Sequence, residues 1–228
     1  MISRNSVSLT LSLIFSAVIA TPAHSSPCND ITIPANPHFD LKKGIEFSDT
    51  DAFRVRMNKA VHAATEFCQK HMDVPKPAVV LDIDETILDN RELIRKLMAK
   101  QSELKEWDAA AWDKWVSEAK IPEIKPTAGF VRWAHSKGIH VFLITARETD
   151  ERAGTEANLK NDNIPYDELF LKDPALGETN EDFKSHTRAM LEKKGYTILC
   201  NIGDQFSDLY GLHAMDCEKI PNEMYFTK

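Results

Sequence analysis

A chain of 228 residues, 43% hydrophobic and 28% charged, is long enough for one domain with a substantial core. Its formal net charge of −7 argues against a nucleic acid polymer as partner, because polyanion affinity comes from Lys and Arg neutralising phosphates. A small phosphorylated ligand stays open where local cations or a metal reverse the sign.

The first residues do not belong to that core. Arg4 is the only charge before the apolar run "VSLTLSLIFSAVIA", Val7 to Ala20, and the small residues of "TPAHSSPC" follow. The run falls short of the ~20 residues a bilayer crossing needs. Residues 1–25 therefore read as a signal peptide cleaved near Ser25, leaving residues 26–228 as a soluble, exported chain, periplasmic or secreted, without a membrane anchor. Removal of Arg4 with that segment takes the formal charge from −7 to −8. Cys28, Cys68, Cys200 and Cys217 survive cleavage, and four cysteines in an oxidising compartment allow up to two disulfides in three connectivities. Cys28 and Cys217 look easiest to bridge; free buried thiols are the alternative.

From Ser26 to about Phe47 the chain is polar and Pro-rich without a period, which predicts an extended arm. From Ser48, Phe53, Met57, Ala60, Val61, Ala64, Phe67 and Cys68 recur at helical spacing until Pro75 and Pro77. The run "AVVLDID" predicts a strand covered on both faces. Residues from about 89 to 125 read as helices without a strand, an insertion able to cover the carboxyl end of that first strand. Beyond it helix and strand alternate: "TAGFVRWAHSKG", "IHVFLIT", "TDERAGTEANLKND", "ELFLK", Thr179 to Lys194, and "YTILCNIG". The expectation is an α/β fold, a doubly wound parallel sheet with a small helical cap inserted after the first strand.

Ligands of open parallel sheets bind beyond the carboxyl ends of the strands. Asp82 and Asp84 leave the first strand, Thr145 and Arg147 leave "VFLITAR", and Asp204 and Asp208 leave "TILCNIGDQFSD". Asp82 and Asp84 are two apart and point the same way in a regular strand. Carboxylates this close need a cation to remain ionised. Magnesium, which takes oxygen ligands and keeps waters, suits the set, whereas no Cys or His pair has zinc spacing.

"LDIDETILDN", "VFLITAR", "EDFKSHTRAMLEKKGY" and "NIGDQFSDL" together resemble the four ordered motifs of the haloacid-dehalogenase (HAD) superfamily of phosphohydrolases. Within it they resemble the plant-type and bacterial secreted acid phosphatases, class B-like, subfamily IIIB. The likeness runs from about Ala78 to Lys228, including "FLKDP" and "KIPNEMYF". It implies a Rossmann-like HAD fold and a magnesium-dependent acid phosphatase acting on small phosphomonoesters through an aspartyl-phosphate. By this resemblance Asp82 is the nucleophile and Asp84 the general acid and base. Thr145, with backbone N–H groups near Ala146, and Lys184 hold the phosphate; Lys172 is the runner-up for the lysine. Arg147 stands between a phosphate-site role and a surface ion pair. The implied metal ligands are Asp82, the main-chain oxygen of Asp84, and Asp204, with Asp208 acting through water or orienting the lysine.

Several of these positions carry plainer readings. Helix capping could explain one of Asp82 and Asp84, but not acids at three strand ends. Glu85 reads as a turn residue. Trp107, Trp112, Trp115 and Trp133 could wall an aromatic leaving group, while the spacing of Trp112 and Trp115 also suits core packing. After "LDN" the chain continues "RELIRK", where many relatives place an aromatic residue, so nucleotide specificity is not carried over. Alternatives on the same scaffold are a 5'-nucleotidase or phosphotransferase and a non-catalytic storage or sensing protein. A signalling receiver is a further reading, which export and Asp84 oppose.

Overall fold

The computed structural model describes residue 28, residues 31–34, residues 40–100 and residues 107–227. The segment expected to be an export signal lies outside the described residues. Among them, no helix is long and apolar enough to cross a membrane.

Among the described residues the elements begin with α1 (Leu41–Ser48) and α2 (Asp51–His71), then β1 (Pro77–Leu81), α3 (Arg91–Lys100) and α4 (Ala109–Ser117). After these come α5 (Lys125–Ser136), β2 (His140–Glu148), α6 (Arg152–Asn161), β3 (Glu168–Lys172) and α7 (Asn180–Lys193). The last elements are β4 (Thr197–Gly203), the single turn α8 (Phe206–Leu209) and β5 (Asp216–Lys219). The five strands form one parallel sheet in the order β3-β2-β1-β4-β5. The doubly wound α/β fold expected from helix and strand alternation is present.

Alternation within the strands builds the two faces. Val79, Leu81, Val141 and Leu143 join the core under α2, α5 and α6 through Met57, Ala64, Val131 and Leu159. Ala78, Val80, Phe142 and Ile144 face α7 through Phe183 and Leu191. Each fully buried Val, Leu or Ile contributes about 1.5–3 kcal/mol, so truncation at Val79 or Leu143 would strike the sheet that carries the site.

The stretch between β1 and α5 is stitched at its base. Asp89 N–H donates to Pro122 O at 2.8 Å, Ile124 N–H to Ile87 O at 2.7 Å, and Leu88 bridges Glu123 in antiparallel fashion. From this neck α3 turns Ile94 onto Ile45 of α1 and Met224. Helix α4 instead lies on α6, where Gly154 permits the approach: a Cβ there would stand 2.6 Å from Val116 O.

Three boundaries depart from the sequence reading. The predicted arm from Ser26 to about Phe47 holds a helix at its end, because Asp40 caps Lys43 N–H at 3.1 Å and Ile45 is buried. The helix predicted from Ser48 begins at Asp51, capped by the Thr50 hydroxyl. The strand predicted as "AVVLDID" ends at Leu81, where the chain breaks from pairing to present its acids. Helix α8 and strand β5 were not expected; "DCEK" has no alternation, and its register comes from pairing with Cys200–Gly203 of β4. Of the cysteines, Cys28 and Cys217 form a disulfide, while Cys68 and Cys200 are buried free thiols.

Candidate active site

Strand order reverses around β1: β2 and β3 extend the sheet on one side, β4 and β5 on the other. Such a switch point opens a crevice at the carboxyl ends of the strands. Asp82 follows β1, and its N–H donates to Ile202 O of β4 at 3.1 Å. Asp204 follows β4, and Asp208 sits on α8 immediately beyond. The three acids are buried, with one carboxylate oxygen from each lying within 4.8 Å of the others. Gly203 is what allows this. A Cβ at that position would stand 2.3 Å from both Cβ and a carboxylate oxygen of Asp208.

Lys184, from the first turns of α7, enters between two of these acids. Its ammonium donates to Asp82 Oδ1 at 2.6 Å and to Asp208 Oδ1 at 2.5 Å, and the side chain is buried. Burial opposes its charge, but Asp208 and then Asp82 outweigh that and hold its pKa above the ordinary lysine value. The Asp82 carboxyl is pushed well above the ordinary range by burial, with Lys184 pulling it back and Asp208, Asp204 and Asp84 pushing it further. Burial and then Asp208 raise Asp204 to about 6. Three buried acids against Lys184 and the partly buried Lys219 leave the pocket short of positive charge.

Those acids are also held by groups the sequence reading did not single out. Asp204 accepts from Gln205 Nε2 at 2.6 Å, Asn222 Nδ2 at 2.7 Å and the Thr86 hydroxyl at 3.3 Å, while Lys219 donates to its main-chain oxygen. Asp208 takes the Gln205 N–H at 2.7 Å. Arg188, fully buried in α7, fixes the Asp208 carbonyl at 2.6 Å. Glu85, read from sequence as a plain turn residue, is buried at φ 53° and accepts from Asn90 N–H and the Tyr225 hydroxyl. Asn222 and Tyr225 lie in "KIPNEMYF", whose likeness to the family was the only available signal.

Asp84 occupies a different corner. Its carboxylate takes Arg147 Nη2 at 2.7 Å, Arg147 Nε at 3.0 Å and Asn90 Nδ2 at 2.8 Å, and it stands apart from the three-acid cluster. The Asp84 carboxylate is therefore not among the acids placed to share a metal ion. Arg147 is 3% exposed, so the surface ion pair considered from sequence is a buried one instead. Its Nη1 also donates to the Thr155 hydroxyl at 2.9 Å, and its guanidinium lies 5.3 Å from the Trp112 ring centre. Thr145 is fully buried on β2, two residues beyond the Leu81 and Leu143 pair, and its hydroxyl accepts from Arg147 N–H at 3.1 Å. Ala146 is half-buried beside it, against the cavity under α4. Lys172 is elsewhere: its ammonium donates to Asn180 Oδ1 at 3.0 Å, because β3 lies at the sheet edge, two strands from Asp82.

The tryptophans divide. Trp107 and Trp112 border the cavity, Trp115 donates to Asn90 Oδ1 at 2.9 Å, and Trp133 packs on Phe130 in the core.

Comparison with known proteins agrees with this architecture. The family model described as HAD superfamily, subfamily IIIB (Acid phosphatase), matches residues 27–228. The stem 31 kDa glycoprotein of Glycine max is 34% identical over 86% of this chain and 76% of its own length. Acid phosphatase 1 of Solanum lycopersicum is 31% identical over 64% of this chain and 58% of its own. Among solved structures, the class C acid phosphatase of Bacillus anthracis superposes with a TM-score of 0.64 at 22% identity, over 82% of this chain and 85% of that one. With the profile running through nearly the whole sequence and the fold in agreement, the chain belongs to the HAD superfamily, subfamily IIIB, the acid phosphatases.

Proposed function

We infer that the chain hydrolyses small phosphomonoesters with magnesium, through an aspartyl-phosphate on Asp82. The observation that carries this reading is the meeting of Asp82, Asp204 and Asp208 around Lys184 at the switch point of the sheet. The donor set fits a hard divalent ion: three carboxylates, all oxygen, with no Cys or His in the cluster. Asp82, Asp204, the main-chain oxygen of Asp84 and, through water, Asp208 would hold it. Once bound, the ion supplies the positive charge that the three buried acids lack and polarises the phosphoryl oxygens.

In the first step an oxygen of Asp82 attacks phosphorus while the ester P–O bond breaks, and the leaving oxygen takes a proton from Asp84. Water then gives a proton to Asp84 and attacks the same phosphorus, releasing phosphate and restoring Asp82. Lys184 opposes the burial that favours the protonated form of Asp82 and offers charge to the phosphoryl oxygens. The Thr145 hydroxyl and N–H groups near Ala146 grip the phosphate on the side of β2. Asn90 and Arg147 orient Asp84 toward the leaving group. Transfer to an acceptor alcohol, or action on 5'-nucleotides, would use the same groups. A storage role would have no use for a buried, lysine-paired Asp82. Residues 1–25 act as the export signal, in keeping with a disulfide that persists in oxidising compartments, and residues 26–228 form the phosphatase domain with its cap at about 89–125.

Asp82→Asn should lower turnover of 4-nitrophenyl phosphate by at least about a thousandfold with little change in urea unfolding. EDTA should silence the parent and magnesium restore it. Retained turnover in the variant would remove the nucleophile, and activity unchanged by chelation would remove the metal.

A further inference from the structure

A cavity of about 360 Å³ lies under α4, with Asp84, Arg147 and Ala146 in its lining. Because Asp84 lines this space, a phosphomonoester placed with its phosphorus toward Asp82 and its leaving oxygen toward Asp84 would send the rest of its alcohol here. Two tryptophans border it. The rings of Trp107 and Trp112 stand 5.5 Å apart, tilted by 52°. Trp112 is already engaged, by Arg147 on its ring and by the bond from its indole N–H to Glu151. Trp107 is 53% exposed and has no such anchors among the described residues.

The remaining lining is acidic. Asp113, Glu148, Asp150 and Glu151 stand around the cavity, so with Asp84 it carries five carboxyl groups against one guanidinium. Arg147 is committed to Asp84, and none of the ion pairs among the described residues engages Asp113, Glu148 or Asp150. Such a surround repels an alcohol bearing a carboxylate or a second phosphate. It attracts an alcohol bearing an ammonium group, and an indole face rewards a cation further.

We propose that this cavity selects phosphomonoesters whose alcohol carries a positive charge, above all a quaternary ammonium group. The proposal rests on the phosphatase reading and adds the substrate class to it. Recognition combines the open face of Trp107 with the carboxylates of Asp113, Glu148 and Asp150, while the phosphoryl group is held separately at Lys184 and Thr145.

The test compares phosphocholine with 3,3-dimethylbutyl phosphate, which has the same shape without the charge, on the full magnesium-loaded protein. 3-Phosphoglycerate supplies the anionic case and 4-nitrophenyl phosphate the control for turnover itself. Expected is a kcat/KM ratio of about tenfold or more for phosphocholine over its neutral isostere, the size a partly desolvated cation over indole produces. The anionic ester should be the poorest of the set, and raising salt to 0.5 M should compress the ratio as the carboxylates are screened. Asp113→Asn with Asp150→Asn should bring the ratio toward one. Hydrolysis of 4-nitrophenyl phosphate with a ratio near one in the parent, or a ratio unmoved in the double variant, would overturn the proposal alone. No hydrolysis of 4-nitrophenyl phosphate would overturn the phosphatase reading and this selectivity with it.

Discussion

Replacing Asp204 by asparagine should stabilise the metal-free protein at neutral pH while abolishing its response to magnesium. The Asp204 carboxyl is raised from 3.8 to about 6 by burial and the charge of Asp208. Below about pH 4 the folded and unfolded chains both hold the proton. Between about 4 and 6 only the folded chain keeps it, so the contribution of this residue to stability falls as pH rises through that window. Above about 6 the buried ion carries its full penalty: a displacement of roughly two units, each worth about 1.4 kcal/mol, or about 3 kcal/mol in order of magnitude. Asparagine removes that penalty and keeps the contacts. Its oxygen can accept from Gln205 Nε2 and Asn222 Nδ2, and its amide can face the Thr86 hydroxyl, where the carboxylate oxygens stand now. Urea unfolding in EDTA at pH 4 and pH 7.5 measures the difference between Asp204→Asn and the parent, and a magnesium titration of the melting temperature measures the lost site. A variant no more stable than the parent at pH 7.5, or a gain equal at both pH values, would refute the reasoning.

The Cys28–Cys217 disulfide closes a loop with a sequence separation of 189 residues, so the paired Cys28→Ser and Cys217→Ser variant should lose about 5 kcal/mol on the chain-entropy account, read by urea unfolding. Cys68 and Cys200 are buried free thiols; a thiol reagent should find two thiols in the denatured, non-reduced parent and none reacting quickly in the native one. Asn90→Ala deprives Asp84 of one donor and Trp115 of its acceptor. It should reduce kcat roughly tenfold, at a cost of about 1–3 kcal/mol in unfolding. A kcat equal to the parent would deny Asn90 any part in positioning Asp84.

What could be read in the sequence was what lies close along the chain. The apolar run before Asp82 announces a buried strand, and Asp204 and Asp208 follow directly behind the strand read in "YTILCNIG". Four motifs at four element ends then place the crevice. What escaped reading depends on distant segments meeting. Asn222 and Tyr225 belong to a tail without periodicity, and nothing local says that they reach Asp204 and Glu85. Glu85 resembles any acid in a turn until its burial and its φ of 53° are visible. Arg147 could face water or Asp84 by sequence alone; the path of β2 beside β1 decides for Asp84. Lys172 and Lys184 each follow a plausible element, and only the order of strands separates them, since β3 is an edge and α7 crosses back over the centre.

The bonds from Asn222 to Asp204 and from Tyr225 to Glu85 have a consequence for biosynthesis. A ribosome-bound chain that has passed β4 already contains Asp82, Asp84, Lys184 and Asp204, yet it lacks the two side chains that brace the acids. The bracing of Asp204 and Glu85 should therefore be completed only when the segment carrying Asn222 and Tyr225 folds back onto the sheet.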